Sequence, residues 1–66
     1  MERTKWIECF PNNYMAFVND YVLGVELKED GLWHWDVFYY QQIVADACDT
    51  ERGAKTAASR YARRKI

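Results

Sequence analysis

Leu32-Trp33-His34-Trp35-Asp36-Val37-Phe38-Tyr39-Tyr40 is the stretch on which the reading of the whole chain turns. Side chains of an extended segment alternate between two faces. Trp33, Trp35, Val37 and Tyr39 then share one side, and Leu32, His34, Asp36, Phe38 and Tyr40 the other. The first set is apolar or aromatic throughout and reads as core. The second mixes a histidine and an aspartate with aromatic rings, which suits a solvent-facing surface that keeps apolar area. The stretch is therefore predicted to be the central strand of a small sheet with one buried face.

Working outward from it, Lys28-Glu29-Asp30-Gly31 is a charged turn closed by glycine. Before that turn, Tyr14–Val18 and Tyr21–Leu27 are two β-prone runs separated by Asn19-Asp20, residues that accept the positive φ of a two-residue hairpin turn. In the second run Tyr21, Leu23, Val25 and Leu27 form the core set. Further upstream, Lys5–Phe10 alternates Trp6, Glu8 and Phe10 against Ile7 and Cys9, permitting a short strand that Pro11-Asn12-Asn13 ends. Downstream, Gln41-Gln42 connects to Ile43–Cys48. There Ile43, Ala45 and Ala47 are expected to face inward, because the opposite register would bury Asp46. Asp49 or Thr50 is a candidate cap for a helix whose apolar positions, Ala54, Ala57, Ala58, Tyr61 and Ala62, recur at spacings of three and four and form one stripe. A stripe of alanine lets a helix approach a sheet closely, with Trp33 and Trp35 filling the space. The predicted class is α+β: a three- or four-stranded antiparallel β-meander with one C-terminal α-helix packed on one face. One domain is expected over 1–66, with an N-terminal segment at 1–13, the meander at 14–48 and the helix at 49–66.

Sixty-six residues sit near the size at which burial suffices for independent folding, so the core must be dense; three Trp, five Tyr and three Phe supply its bulk. Half the residues are hydrophobic and 29% are charged, the balance of a globular chain. No apolar run reaches the roughly 18 residues needed to span a bilayer. The opening MERTKWIECF places Glu2 among basic residues and has no apolar core, so it does not read as a signal peptide, and a cytoplasmic location in the host cell is expected. Net charge is −1, but it is unevenly spread: residues 1–50 carry nine acids against three bases, and residues 51–66 one acid against six bases. Cys9 and Cys48 are expected to be reduced, partly buried thiols. One histidine and no C-x-x-C or H-x-x-x-H spacing leave a structural zinc site without ligands; neither metal nor cofactor is expected.

The pattern Tyr14-x-Ala16, Leu23-x-Val25, Trp33-x-Trp35-x-Val37, Val44 and Ala54-x-x-Ala57-Ala58-x-x-Tyr61-Ala62 resembles short uncharacterised phage and prophage proteins of strand-strand-strand-helix form. The resemblance covers most of the chain and rests on core residues. It implies a protein that binds and blocks or redirects a host factor, including nucleases of antiviral defence. Gly53-Ala54-Lys55-Thr56-Ala57-Ala58 resembles the start of the final helix of double-stranded-RNA-binding domains. The Trp-rich sheet followed by an Ala-Ala-x-x-Tyr helix is similar to the DNA-binding domains of plant ethylene-response factors and of some phage integrase arms. Those bind DNA through basic residues on the open sheet face, whereas the face here offers Glu26, His34, Asp36 and Asp46.

Candidate functional residues fall into three groups. His34 and Asp36, with Glu26 or Asp46 across the sheet, have the composition of a general acid/base group. Alternating polar residues on a solvated face account for the same four, and no catalytic site is expected. Phe38 and Tyr40, read as standing on the open face beside Val22 and Val44, form an apolar patch of the kind that marks partner surfaces, unless Trp6 and Phe10 of the N-terminal segment fold over and cover it. With His34, Asp36 and Glu26 they make the expected protein-binding surface, whose acidity would complement a basic groove on a host protein. The alternative is nucleic-acid binding by Lys55, Arg60, Arg63, Arg64 and Lys65, although positive charge there also complements the C-terminal end of a helix. An aromatic open face and an unpaired sheet edge further predict a homodimer.

Overall fold

Six elements follow one another in the order β1 (Ile7–Phe10), β2 (Asn13–Val18), β3 (Tyr21–Leu27), β4 (Trp33–Tyr39), β5 (Gln41–Cys48) and α1 (Glu51–Arg64). The structure is a computed structural model and describes residues 4–64. All five strands form one antiparallel sheet in sequence order, and the helix packs on one of its faces. The short strand permitted at Lys5–Phe10 is β1, so the meander has five strands where three or four were expected. The middle strand is β3, not the Trp-rich β4, although β4 is paired on both sides.

Each connection has a local cause. Asn12 and Asn19 adopt φ of 62° and 54°, conformations asparagine tolerates better than most residues, and the Asn19-Asp20 turn sets Val18 opposite Tyr21. Gly31 sits at φ 81° and its amide donates to the Lys28 carbonyl at 3.0 Å; the Asp30 carboxylate fixes the same turn by accepting the Leu32 amide at 2.9 Å. The link from β4 to β5 differs from expectation. Gln41 and Gln42 belong to β5, and the reversal is made at Tyr40, whose φ of 67° is rare for a bulky residue. Thr50, not Asp49, caps the helix, its Oγ1 accepting the Gly53 amide at 3.0 Å.

The core is the interface between the alanine stripe and the β3–β4 centre of the sheet. Ala54, Ala58 and Ala62 are fully buried, as are Ala16, Leu23 and Val37, with Val25 and Trp35 nearly so. Ala57 and Tyr61 flank the stripe half-buried, and the Tyr61 ring lies 6.4 Å from that of Trp35. The expected core alternation of β3 and β4 holds: Leu23 faces Val37, Val25 faces Trp35 and Leu27 faces Trp33.

The alternation expected of the last strand is reversed. Val44 pairs with Val37, Asp46 with Trp35 and Cys48 with Trp33, which puts these three on the helix side and turns Ala45 and Ala47 to the open side. A bulge between Val37 and Phe38 absorbs Ile43. The argument against burying Asp46 does not apply, because β5 is an edge strand and the helix is centred on β3 and β4. Asp46 stays exposed there, and its Oδ1 accepts the Ala47 amide at 2.8 Å. The two thiols lie on opposite faces of the sheet, Cys48 half-buried under the helix and Cys9 exposed rather than partly buried. Among the described residues no helix is long and apolar enough to cross a membrane.

Candidate interaction surface

With the helix on one face, the opposite face of the sheet is left open. Antiparallel partners lie side by side on the same face, so the register orders this surface into rows running across the strands. One row is Phe17, Val22, Phe38 and Gln42; the next is Ile7, Met15, Gly24, Asp36 and Ala45; the third is Phe10, Asn13, Glu26, His34 and Ala47. The first row presents two phenyl rings, with Phe17 58% exposed and Phe38 36% exposed; the third is polar at Asn13, Glu26 and His34, with Phe10 70% exposed at its β1 end.

The rows enclose a trough of about 630 Å³ whose lining includes Met15, Val22, Gly24, Glu26, Asp36 and Phe38. Gly24 is the reason it has depth. A Cβ built at this position would come within 2.5 Å of Asp36 Oδ1, so the missing side chain leaves room that the Asp36 carboxylate leans into. Partial burial pushes the Asp36 carboxyl above its usual value, the nearby Glu26 charge pushes it the same way, and Lys28 opposes both. Neither Glu26 nor Asp36 has an ion-pair partner among the described residues.

His34 is committed elsewhere. Its Nε2 lies 2.8 Å from Asp30 Oδ2, and Asp30 is held below the usual carboxylate range first by the Leu32 amide and then by this histidine. The pairing ties β4 to the turn before it. Of the acid/base grouping weighed from the sequence, Glu26, His34 and Asp36 share the open face, with His34 bound to Asp30, while Asp46 is on the other face. Among the described residues no cluster of His, Cys, Asp and Glu is placed to hold a metal ion.

The aromatic patch differs in composition from the one expected. Phe38 is on the open face with Val22, but Val44 is on the helix side, and Tyr40 stands beyond the strand end. Tyr40 is 96% exposed, and its ring meets Tyr39 edge-on at 4.7 Å, Tyr39 in turn lying 5.1 Å from Tyr21. It caps an aromatic end of the sheet next to the Phe17–Phe38 row. Nor does the N-terminal segment cover the open face. Trp6 packs against the core on the helix side, and Phe10 is 70% exposed. Phe17, Met15, Ile7 and Gly24 were not singled out as site residues from the sequence. Phe17 was recoverable: a two-residue turn at Asn19-Asp20 puts it opposite Val22, a position already assigned away from the core.

Of the basic residues, Lys55 stands apart from the arginines. Lys55 Nζ is 2.7 Å from Glu51 Oε2 and 3.7 Å above the centre of the Tyr14 ring, held inside the fold's own contacts near the start of α1. Arg63 donates to Thr4 Oγ1 at 3.2 Å. Arg60 and Arg64 are exposed one turn apart, and Lys65 lies outside the described residues. Nine residues of helix, about 13 Å, separate Lys55 from Arg64. Comparison with known proteins finds no family model, no curated protein and no solved structure that matches this chain.

Proposed function

We propose that this chain is a small noncatalytic protein-binding module whose contact surface is the open face of the sheet. On its resemblance to short phage and prophage proteins, the bound protein is a host factor that it blocks or redirects in the cytoplasm. The supporting observation is the Phe17–Val22–Phe38 row, which the fold leaves uncovered beside two carboxylates that have no ion-pair partner among the described residues. Apolar area that a chain has kept on its surface next to polar residues is the signature of a partner site. Tyr40 adds to it: a bulky residue held at φ 67° and 96% exposed is local backbone strain at the surface, the pattern found at functional positions.

The test is an affinity pull-down from host lysate with quantified partners, using wild type, Phe17→Ser/Phe38→Ser, and Arg60→Glu/Arg64→Glu. The phenylalanine pair should abolish capture while the arginine pair leaves it intact. For the purified complex, Phe38→Ala should cost on the order of 1–3 kcal/mol of binding, as an aromatic anchor does. Retention of nucleic acid by the wild-type chain, lost in the arginine variant and unaffected by the phenylalanine changes, would replace this reading with nucleic-acid binding.

A further inference from the structure

The open face carries two kinds of unmet demand at a fixed spacing. Phe38 and Asp36 are two residues apart on the same strand face, so the apolar row and the carboxylate row are about 6.6–6.8 Å apart. Gly24 lies in the carboxylate row itself, between Met15 and Asp36, whose carboxylate leans over it. The charge on the trough is unbalanced: among the described residues Glu26 and Asp36 have no ion-pair partner, His34 and Asp30 are spent on each other, and Lys28 is the one lysine or arginine in the lining.

Resting on the open-face reading, we infer that the segment docking there carries an arginine or lysine about one helical turn, or two strand residues, from an apolar side chain. The apolar residue covers Phe17, Val22 and Phe38; the basic side chain lays its methylene stem over Met15 and Gly24 and sets its charge against Asp36 and Glu26. The spacing is one that ordinary segments supply, since helix positions three or four apart have Cβ atoms about 5–6 Å apart and alternate strand positions are one row apart. A cation here meets the Asp36 carboxylate, which is already partly buried, where a charge-assisted hydrogen bond is stronger than on an open surface. A second copy of this chain is the poorer occupant. Packing two open faces together brings four carboxylates against two lysines and leaves the interface negative. A nucleic-acid backbone would add more negative charge still.

The experiment is selection from a displayed library of randomised peptides on the folded chain, followed by binding of a selected synthetic peptide to wild type, Asp36→Asn/Glu26→Gln and Phe17→Ser/Phe38→Ser. All four replaced residues are partly or largely exposed, and a retained circular-dichroism spectrum confirms that each variant is folded. Enriched peptides should carry Arg or Lys at these spacings from Phe, Leu, Ile or Met. Changing that basic residue to Gln should weaken binding to wild type by roughly tenfold or more, while the carboxylate variant should respond far less, the mark of a close charge pair. Peptides that need Phe17 and Phe38 but show no basic preference, or equal losses in wild type and the carboxylate variant, would overturn this inference and leave the open-face reading standing. An empty selection, or peptides indifferent to Phe17→Ser/Phe38→Ser, would refute that reading as well.

Discussion

Replacing Ala58 by Leu tests the helix-to-sheet contact on which both the core and the free opposite face depend. Ala58 is fully buried, and it meets a layer in which Leu23 and Val37 are equally inaccessible, so three added carbon atoms have no void to enter. Overpacking of this kind costs about 1–3 kcal/mol through shifted backbone and distorted rotamers. Helix propensity does not mask it, because Leu is only a few tenths of a kcal/mol poorer than Ala. For a chain of this size total stability is about 3–10 kcal/mol, so the loss is a large share of the whole. It should appear as a lowered denaturant midpoint at unchanged slope, and as a fall in Tm of about 4–8 °C for each kcal/mol. Thr56→Leu is the control: it makes the same helix more apolar at an exposed position and should change stability by less than about 0.5 kcal/mol. If Ala58→Leu unfolds at the wild-type midpoint, the alanine stripe is not the packing face.

Asp36 predicts a pH dependence with a definite sign. Its folded-state pKa is raised, by burial first and by Glu26 second, so the stability it contributes is present below the ordinary carboxylate range and is lost as pH rises through the raised value. Asp36→Asn, neutral throughout, should therefore be more stable than wild type near pH 7, with the gap closing below about pH 4; a constant gap would contradict the assignment. Gly24→Ala places a Cβ 2.5 Å from Asp36 Oδ1, the free end of a side chain that can rotate away, at a backbone position without positive φ. Its rotamer cost of about 0.5–1.5 kcal/mol is offset by the lower entropy of the unfolded chain, about 0.4–1 kcal/mol. Stability should change little while the Asp36 pKa, followed by NMR titration, moves back toward its usual value; a loss above about 2 kcal/mol would mean that the floor of the trough is rigid. Light scattering at micromolar concentration is expected to show a dimer paired along β5, the longer edge, which has eight residues against four in β1. Ile43→Lys on that edge should give monomers, and a wild-type monomer or a dimer indifferent to the change would refute edge pairing.

What could be read from the amino-acid order was local. Alternation assigned the core sides of β3 and β4, the Asn19-Asp20 turn set the register of β2 on β3, and the three-and-four spacing of Ala54, Ala57, Ala58, Tyr61 and Ala62 marked the helix and its buried stripe. Each of these signals spans no more than about a dozen residues, within which backbone geometry and apolar spacing leave one consistent answer. The last strand was misread because the cost of burying Asp46 depends on whether that position is covered, and only the position of α1 over β3 and β4 leaves Asp46 exposed on the edge strand β5. Tyr40 was misplaced for a related reason: one residue at positive φ ended the alternation that Phe38 had carried. The candidate surface was half legible, in Phe38, His34, Asp36 and Glu26. Its remainder, Phe17 beside Phe38 and Asp36 leaning over Gly24, joins residues from separate strands, and the packing that leaves Lys55 among Glu51, Tyr14 and Trp6 joins the two ends of the chain. Such contacts are made by strand pairing and helix docking over long sequence separations, where no short-range pattern constrains which side chains meet.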